Sequence, residues 1–233
     1  MRGQSQSYGV SRNFVQQMAK RVSSHAAWLL VALTICVMST TVKAEAATRI
    51  LALGDSLTAG FNLPANAMFP VVLERRLRAA GHDVEVVNAG VSGDTAQGGL
   101  ERLDWALGDK VDAVIVELGA NDMLRGIDPA LTEKSLDEIL RKLSERKIPV
   151  LLAGMLPAPG LGKEYGGQFA AIYPRLAHKY NAILYPFFLD GVAGDSALNQ
   201  ADGMHPTRAG VEVIVERMLP KVVELLERAK ATE

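Results

Sequence analysis

The chain has 233 residues, of which 48% are hydrophobic and 22% are charged, and its formal net charge is −1. These proportions are typical of a globular protein with a full-sized core, and the nearly balanced charge argues against a nucleic-acid partner. The one cysteine, Cys36, excludes an intrachain disulfide, and four scattered histidines without neighbouring cysteines indicate no metal site.

Residues 1–46 have the order of a secretory signal peptide. Lys20 and Arg21 precede an apolar run over 26–38, and small residues at cleavage spacing follow, ending at Ala46. The run is short for a membrane span, which needs about 20 apolar residues. We therefore expect this segment to be cleaved, and the mature protein to be periplasmic or secreted without a stable membrane span. An uncleaved anchor is the main alternative.

From residue 47 on, apolar strand-like segments alternate with amphipathic helical segments. The strand candidates are 49–53, 83–88, 112–118, 148–155 and 182–188, and the helix candidates are 67–80, 95–107, 130–147, 167–180 and 207–230. This alternation predicts an α/β fold in which helices cover both faces of a five-stranded parallel sheet. Without a repeat or a linker, residues 47–233 are predicted to form a single domain. Pro220 is expected to kink or split the last helix.

The first predicted strand ends in a Gly-Asp-Ser turn that carries Ser56. The carboxyl ends of parallel strands are where α/β proteins place their ligands and chemistry. A serine hydroxyl needs a neighbouring base to act as a nucleophile, and His205 is the best candidate, with Asp202 three residues earlier to orient the imidazole. Three alternatives remain: such a tripeptide often only makes a turn, Ser92 is a second candidate nucleophile, and His205 could simply cap the helix that follows.

Two later loops at the same edge offer hydrogen-bond donors for a developing oxyanion. Gly93 supplies an unhindered backbone N–H, and Asn121 supplies a side-chain amide. Together with the N–H of Ser56 they would form a three-donor oxyanion hole. Asn121 could instead only terminate the third strand. Asp122 and Arg125 are expected to form an ion pair that stabilises this loop.

An apolar loop over 155–162 follows the fourth predicted strand and is a candidate wall for an acyl chain. A plain connector is the alternative interpretation of this loop. Trp105 is expected to lie in the core rather than at the substrate. The candidate substrate-binding residues are Leu63, Met123, Leu124, Met155, Leu156 and Pro157.

The blocks that contain Ser56, Gly93, Asn121 and His205 resemble, in order, the four blocks of the SGNH (GDSL-type) hydrolase family. The spacing of Asp202 from the histidine matches as well. The resemblance implies a flavodoxin-like three-layer α/β/α sandwich and a Ser-His-Asp triad that needs no metal or cofactor. The α/β-hydrolase elbow is a poorer match, because threonine stands two residues after the serine where that motif has glycine.

The segment 116–122 and the tripeptide 172–174 are similar to those of small periplasmic thioesterases, lysophospholipases and arylesterases of that family. The chain is therefore predicted to be a serine esterase that hydrolyses a small-molecule acyl ester or thioester. Two alternatives stay open: an acyltransferase that uses the same triad, and a non-catalytic module that binds lipid or carbohydrate. The sequence makes no prediction about oligomeric state.

Overall fold

The computed structural model describes residues 47–108 and 110–231, so the signal peptide predicted over 1–46 lies outside the described residues. Within them, five parallel strands form one sheet in the order β2-β1-β3-β4-β5. The strands are β1 (Thr48–Gly54), β2 (Val84–Gly90), β3 (Ala113–Glu117), β4 (Val150–Ala153) and β5 (Ile183–Tyr185).

Helices cover both faces of this sheet. They are α1 (Ser56–Ala59), α2 (Phe69–Ala79), α3 (Ala96–Leu107), α4 (Ala120–Leu124), α5 (Pro129–Glu145), α6 (Lys163–Lys179) and α7 (Arg208–Lys230), with one 3₁₀ turn at Ala65–Ala67. Helices α2 and α7 pack together on one face, while α3, α5 and α6 pack side by side on the other. The predicted three-layer α/β/α sandwich with a five-stranded parallel sheet is confirmed.

The central strands read as continuous apolar runs because both of their faces are covered. Every residue of β3 and β4 is buried, as are the last five residues of β1. Each fully buried Leu, Ile or Val side chain contributes roughly 1.5–3 kcal/mol of hydrophobic stabilisation. Strand β5 is shorter than predicted, because Pro186 follows it directly and has no N–H for the ladder.

Helix α3 is amphipathic, and Trp105 does not lie on its buried face. Ala96, Gly99, Leu103 and Leu107 recur at helical spacing and are buried against the sheet and α5. Trp105 lies about half a turn from Leu103 and is 85% exposed. The expectation that this tryptophan belongs to the core is wrong.

Helix α7 is continuous through Pro220. Its buried residues follow the stripe expected from the sequence, from Val211 to Leu226. Proline at position 220 leaves the carbonyl of Glu216 without its helical partner, but both residues are exposed, so water can bond that carbonyl. The expected split at Pro220 is therefore wrong. No helix among the described residues has the length and apolar character needed to cross a membrane.

The chain changes direction across the sheet after β2. Strand β1 lies between β2 on one side and β3 on the other, and Gly54 is in register with both Gly90 and Glu117. The three strands therefore end at the same level. Loops that leave neighbouring strands in opposite directions open a crevice at their carboxyl ends, which is where α/β proteins bind ligands.

Candidate active site

Ser56 begins α1 at this edge, directly after the turn that ends β1. The side chain of Asp55 caps the helix by accepting a hydrogen bond from the N–H of Leu57 at 3.0 Å. Glycine is needed at position 54, because a Cβ there would lie 2.1 Å from Oγ1 of Thr58. This tight turn fixes the position of the serine hydroxyl.

The hydroxyl of Ser56 meets the imidazole of His205 although 149 residues separate them in the chain. Nε2 of His205 lies 2.9 Å from Oγ of Ser56, and Nδ1 lies 2.7 Å from Oδ2 of Asp202. With a proton held on Nδ1 by the carboxylate, Nε2 can accept the serine proton. The structure thus brings the three residues of the predicted triad into one hydrogen-bonded chain.

The carboxylate of Asp202 is held by its own loop. Its Oδ1 accepts from the backbone N–H groups of Met204 at 2.9 Å and His205 at 3.0 Å. The N–H of His205 first, then that of Met204 and the imidazole, lower the pKa of Asp202 to about 2. The group is therefore ionised at neutral pH, as a partner that stabilises an imidazolium must be.

The histidine does not cap the helix that follows it. That cap is Thr207, whose Oγ1 accepts from the N–H of Gly210 at 3.3 Å. Pro206 pairs with Asn199 in an antiparallel bridge, which fixes the backbone directly after His205. The alternative that His205 only caps this helix is therefore wrong, and its ring contacts Ser56 and Asp202 instead.

Two residues that line the crevice, Ser56 and Gly93, have backbone N–H groups that remain free to donate among the described residues. Within the described part of the chain, nothing accepts a hydrogen bond from the N–H of Ser56 or of Gly93. Gly93 has φ +87, a left-handed conformation that favours glycine. Its carbonyl accepts from Nη2 of Arg125 at 2.7 Å. Both N–H groups are thus placed to donate to a ligand.

Arg125 does not form the ion pair expected with Asp122. The carboxylate of Asp122 is buried and accepts from the N–H of Ala96 at 2.8 Å and from the hydroxyl of Thr132 at 3.1 Å. Asp122 therefore joins α4 to the starts of α3 and α5, while Arg125 supports the loop of Gly93.

Asn121 lies in the crevice, and its amide hydrogens are both engaged. Nδ2 donates to Oδ2 of Asp55 at 3.0 Å and to the carbonyl of Asp94 at 2.9 Å. The side chain therefore does more than terminate a strand, because it joins the Gly-Asp-Ser turn at residues 54–56 to the loop of Gly93. A further bond from Asn121 to an oxyanion would be a three-centre bond that shares one of these hydrogens.

Arg102 on α3 also forms hydrogen bonds to both of these loops. Its guanidinium donates to the carbonyl of Gly54 at 2.9 Å, to the carbonyl of Ala89 at 2.7 Å and to the carboxylate of Asp94. Five N–H donors in a fixed plane suit one side chain to this task. Arg102 and Asn121 thus both hold the turn of Ser56 beside the loop of Asp94.

Two fully buried carboxyl groups lie under the nucleophile turn. Burial raises the pKa of Asp55 to about 6 against the lowering effect of its bonds from Leu57 and Asn121. Glu117 accepts from the hydroxyl of Thr58 at 2.8 Å and the N–H of Asp55 at 3.4 Å. Burial first, and then the charge of Asp55, raise the pKa of Glu117 well above its ordinary value.

A cavity of about 550 Å³ opens beside Ser56, and its walls are mostly apolar. Five of the six residues predicted to bind substrate line it: Met123, Leu124, Met155, Leu156 and Pro157. Leu63 does not, because it packs against the core next to the turn at Gly60. Ser92 also lines the cavity, but His205 contacts Ser56.

Sequence reasoning missed two residues that contact the histidine loop. The ring of Phe61 lies 4.5 Å from the ring of His205, centroid to centroid. The side chain of Gln200 donates to the carbonyls of Phe61 and Pro206. No local pattern could have indicated either residue, since Phe61 and Gln200 are 139 positions apart. Among the described residues, no cluster of three or more His, Cys, Asp or Glu side chains could hold a metal ion.

Two characterised proteins are similar to the chain over most of its length. Esterase TesA of Pseudomonas aeruginosa is 38% identical over 182 residues, which cover 78% of this chain and 90% of that protein. Thioesterase 1/protease 1/lysophospholipase L1 of Escherichia coli is 39% identical over 188 residues, which cover 80% of this chain and 88% of that protein.

A solved structure gives the same result. The crystal structure of AlinE4, an SGNH-hydrolase family esterase, is 46% identical with a TM-score of 0.66, and the match covers 78% of this chain and 98% of that one. The model of the GDSL-like lipase/acylhydrolase family matches residues 52–213. The predictions of an SGNH-type chain and of a carboxylic ester hydrolase are therefore confirmed. The chain belongs to the GDSL-like lipase/acylhydrolase family.

Proposed function

We propose that the chain hydrolyses acyl esters and thioesters, with Ser56 as nucleophile, His205 as general base and acid, and Asp202 as the group that orients His205. The single observation that carries this assignment is the hydrogen-bonded chain from Asp202 through His205 to Ser56, at 2.7 and 2.9 Å. Relatives named esterase and thioesterase support the same class of substrate.

In the first half of the reaction, Oγ of Ser56 attacks the acyl carbonyl while Nε2 of His205 takes its proton. The imidazolium, stabilised by Asp202, then gives that proton to the leaving alcohol or thiol as the bond to the acyl carbon breaks. In the second half, water attacks the acyl-enzyme and loses a proton to His205, and the acid leaves as Ser56 recovers its proton. Atoms and charges balance without a further reactant.

The developing oxyanion needs donors that are already in place. Ser56 and Gly93 line the cavity and their N–H groups have no partners among the described residues, and the amide of Asn121 can share a hydrogen with the oxyanion. One donor of this kind contributes about 3 kcal/mol to lowering the barrier. We assign the oxyanion hole to these three residues.

The cavity favours the acyl part of the substrate. Met155, Leu156 and Pro157 form one side, and Met123 and Leu124 form another. Burying an alkyl chain there gains about 0.8 kcal/mol per methylene. We assign these five residues to binding of the acyl chain.

Replacing Ser56 with alanine tests this mechanism with a control from the same cavity. S56A is expected to lose at least about a thousandfold in kcat on p-nitrophenyl esters, while S92A keeps most of it. Circular dichroism and thermal unfolding should show both variants folded. Full activity of S56A, or a comparable loss in S92A, would remove the assignment of the nucleophile.

The proposal extends to export of the chain. We propose that residues 1–46 direct secretion to the periplasm or beyond and are then removed, so that the mature enzyme is the domain that starts at residue 47. Basic, apolar and small residues follow one another there in the order of a signal peptide. Amino-terminal sequencing of the exported protein should begin at Ala47. A membrane-bound product that still carries 26–38 would show an uncleaved anchor instead.

A further inference from the structure

Gln200 joins the loop of the histidine to the segment of the serine. Its Nε2 donates to the carbonyl of Phe61 at 2.9 Å and to the carbonyl of Pro206 at 3.0 Å. Its backbone N–H donates to the carbonyl of His205 at 2.7 Å. One half-buried side chain therefore bonds backbone atoms of both segments.

Phe61 completes this connection from the other side. Its N–H donates to the carbonyl of Ser56 at 3.1 Å, so its backbone is fixed to the turn of the nucleophile. Its ring lies against the imidazole of His205, with 4.5 Å between centroids and 34° between planes. The segment that carries the serine thus supplies the surface on which the histidine rests.

The triad does not itself fix the distance between these two segments. Asp202 lies on the loop of His205 and orients the ring only within that loop. The single bond from Nε2 to Oγ of Ser56 must break and re-form during each turnover. Besides these contacts, the described residues show one other hydrogen bond between the two segments, from Arg208 to Asn66 at 2.8 Å on the surface.

We propose that Gln200 and Phe61, the Gln200–Phe61 pair, are positioning residues that hold the imidazole of His205 within reach of the Ser56 hydroxyl. The inference rests on the proposed function, since it needs that hydroxyl to be the nucleophile. The pair acts on the base, so its loss lowers the rate of proton transfer more than it weakens binding of the acyl chain.

The first test is Q200E, which keeps the size of the side chain but replaces two N–H donors with an acceptor that faces two carbonyl oxygens. A general base displaced by a fraction of an ångström to an ångström costs between about tenfold and about a hundredfold in rate. We expect kcat on p-nitrophenyl butyrate to fall by that factor, with KM changed by less than about twofold.

The matched control is R208Q, which removes the surface bond between the same two segments without touching His205. It should keep wild-type kcat and KM. Equal losses in Q200E and R208Q would mean that any link between the segments matters, and they would overturn the specific role of Gln200. Thermal unfolding of both variants checks that each is folded under the assay conditions.

Phe61 also lines the cavity, so its test must separate positioning from binding. The probe is diethyl 4-nitrophenyl phosphate, which phosphorylates Ser56 with release of 4-nitrophenolate and has no acyl chain. F61L should react at least about fivefold more slowly than wild type, because an aliphatic side chain lacks the flat face for the ring. F61Y should restore the rate.

The outcomes separate this inference from the proposed function. S56A serves as the baseline, and an active S56A would overturn both. If S56A is inactive while Q200E and F61L react with the phosphate at the wild-type rate, the mechanism stands and the positioning role fails. In ¹H–¹⁵N spectra, the resonances of the His205 ring should broaden or double in Q200E and stay unchanged in R208Q. A single sharp set in Q200E would also contradict the proposal.

Discussion

Glu117 is a carboxylic acid with no exposed surface, and within the described part of the chain its Oε1 has no hydrogen-bond partner. Burial raises its pKa in the folded state above the unfolded value. The free energy of unfolding is therefore highest, as far as this group is concerned, below the unfolded pKa, and it falls as the pH rises towards the folded pKa. The protein keeps a proton under the nucleophile turn at a cost that grows with pH.

E117Q removes this titration and keeps the shape of the side chain. The difference in unfolding temperature, variant minus wild type, should move in favour of the variant as the pH rises above the ordinary pKa of a glutamic acid. E216Q, on the exposed side of α7, is the control for loss of one carboxyl group. A difference for E117Q that does not change with pH would contradict the raised pKa of Glu117.

Residues that carry a motif were predictable, whereas residues that act through long-range contacts were not. Ser56 and His205 were found because each lies in a block whose residue types suit its chemistry. Gln200 and Phe61 have no such block, and their contact exists only after the sheet has formed. Asn121 was found by its block, but its bonds to Asp55 and Asp94 could not be read from the sequence.

The predictions for whole elements follow the same division. Helices α3, α5 and α7 were predicted because a long amphipathic helix repeats its apolar positions several times. The short helices α1 and α4 were missed, since four or five residues show no period and depend on a cap such as Asp55. The burial of Trp105 and the split at Pro220 were misjudged because residue type alone does not say which side of a helix faces water.

Arg102 connects α3 to the ends of β1 and β2 and to the loop of Asp94. R102M removes bonds to two carbonyls and one carboxylate from a side chain that is 17% exposed. Leaving such groups without partners should lower the free energy of unfolding by about 2–4 kcal/mol in total. We also expect kcat to fall, because the loop of Asp94 is no longer held beside the end of β1. Urea unfolding and esterase assays measure the two effects.

The control for R102M is R141M on α5. Arg141 pairs with Glu138 and Glu145 on the surface of a single helix, where solvent screens such pairs. It should change neither stability nor kcat appreciably. If R141M lost as much stability as R102M, the clamp at the carboxyl edge would have no special importance.

For the whole molecule, the position of the exposed apolar side chains matters. Phe61, Leu124, Leu156 and Met204 are partly exposed and line the cavity, whereas Leu131 is exposed on α5 away from it. Val71, Val91 and Trp105 are also exposed and do not line it, so the entrance of the site holds part of the exposed apolar surface of the described residues. An acyl chain that binds there is removed from contact with water on several sides.

L156D should therefore reduce the preference for longer chains. Across p-nitrophenyl esters from acetate to decanoate, wild-type kcat/KM should rise by up to about fourfold per methylene until the cavity is full. L156D should flatten that rise and leave the acetate rate within about twofold. L131D should behave like wild type, and a flattened series in L131D would point to a general effect of charge.

The separation of 149 positions between the serine and the histidine has a consequence for biosynthesis. On the proposed function, the ribosome makes the nucleophile early, and the base follows only after all five strands and six of the seven described helices have been made. A nascent polypeptide that has not reached His205 lacks the proposed general base and should not turn over acyl thioesters in the compartment where it is translated. On the proposed function, turnover begins only when the loop of His205 docks against Ser56, so catalysis itself reports that this loop has docked.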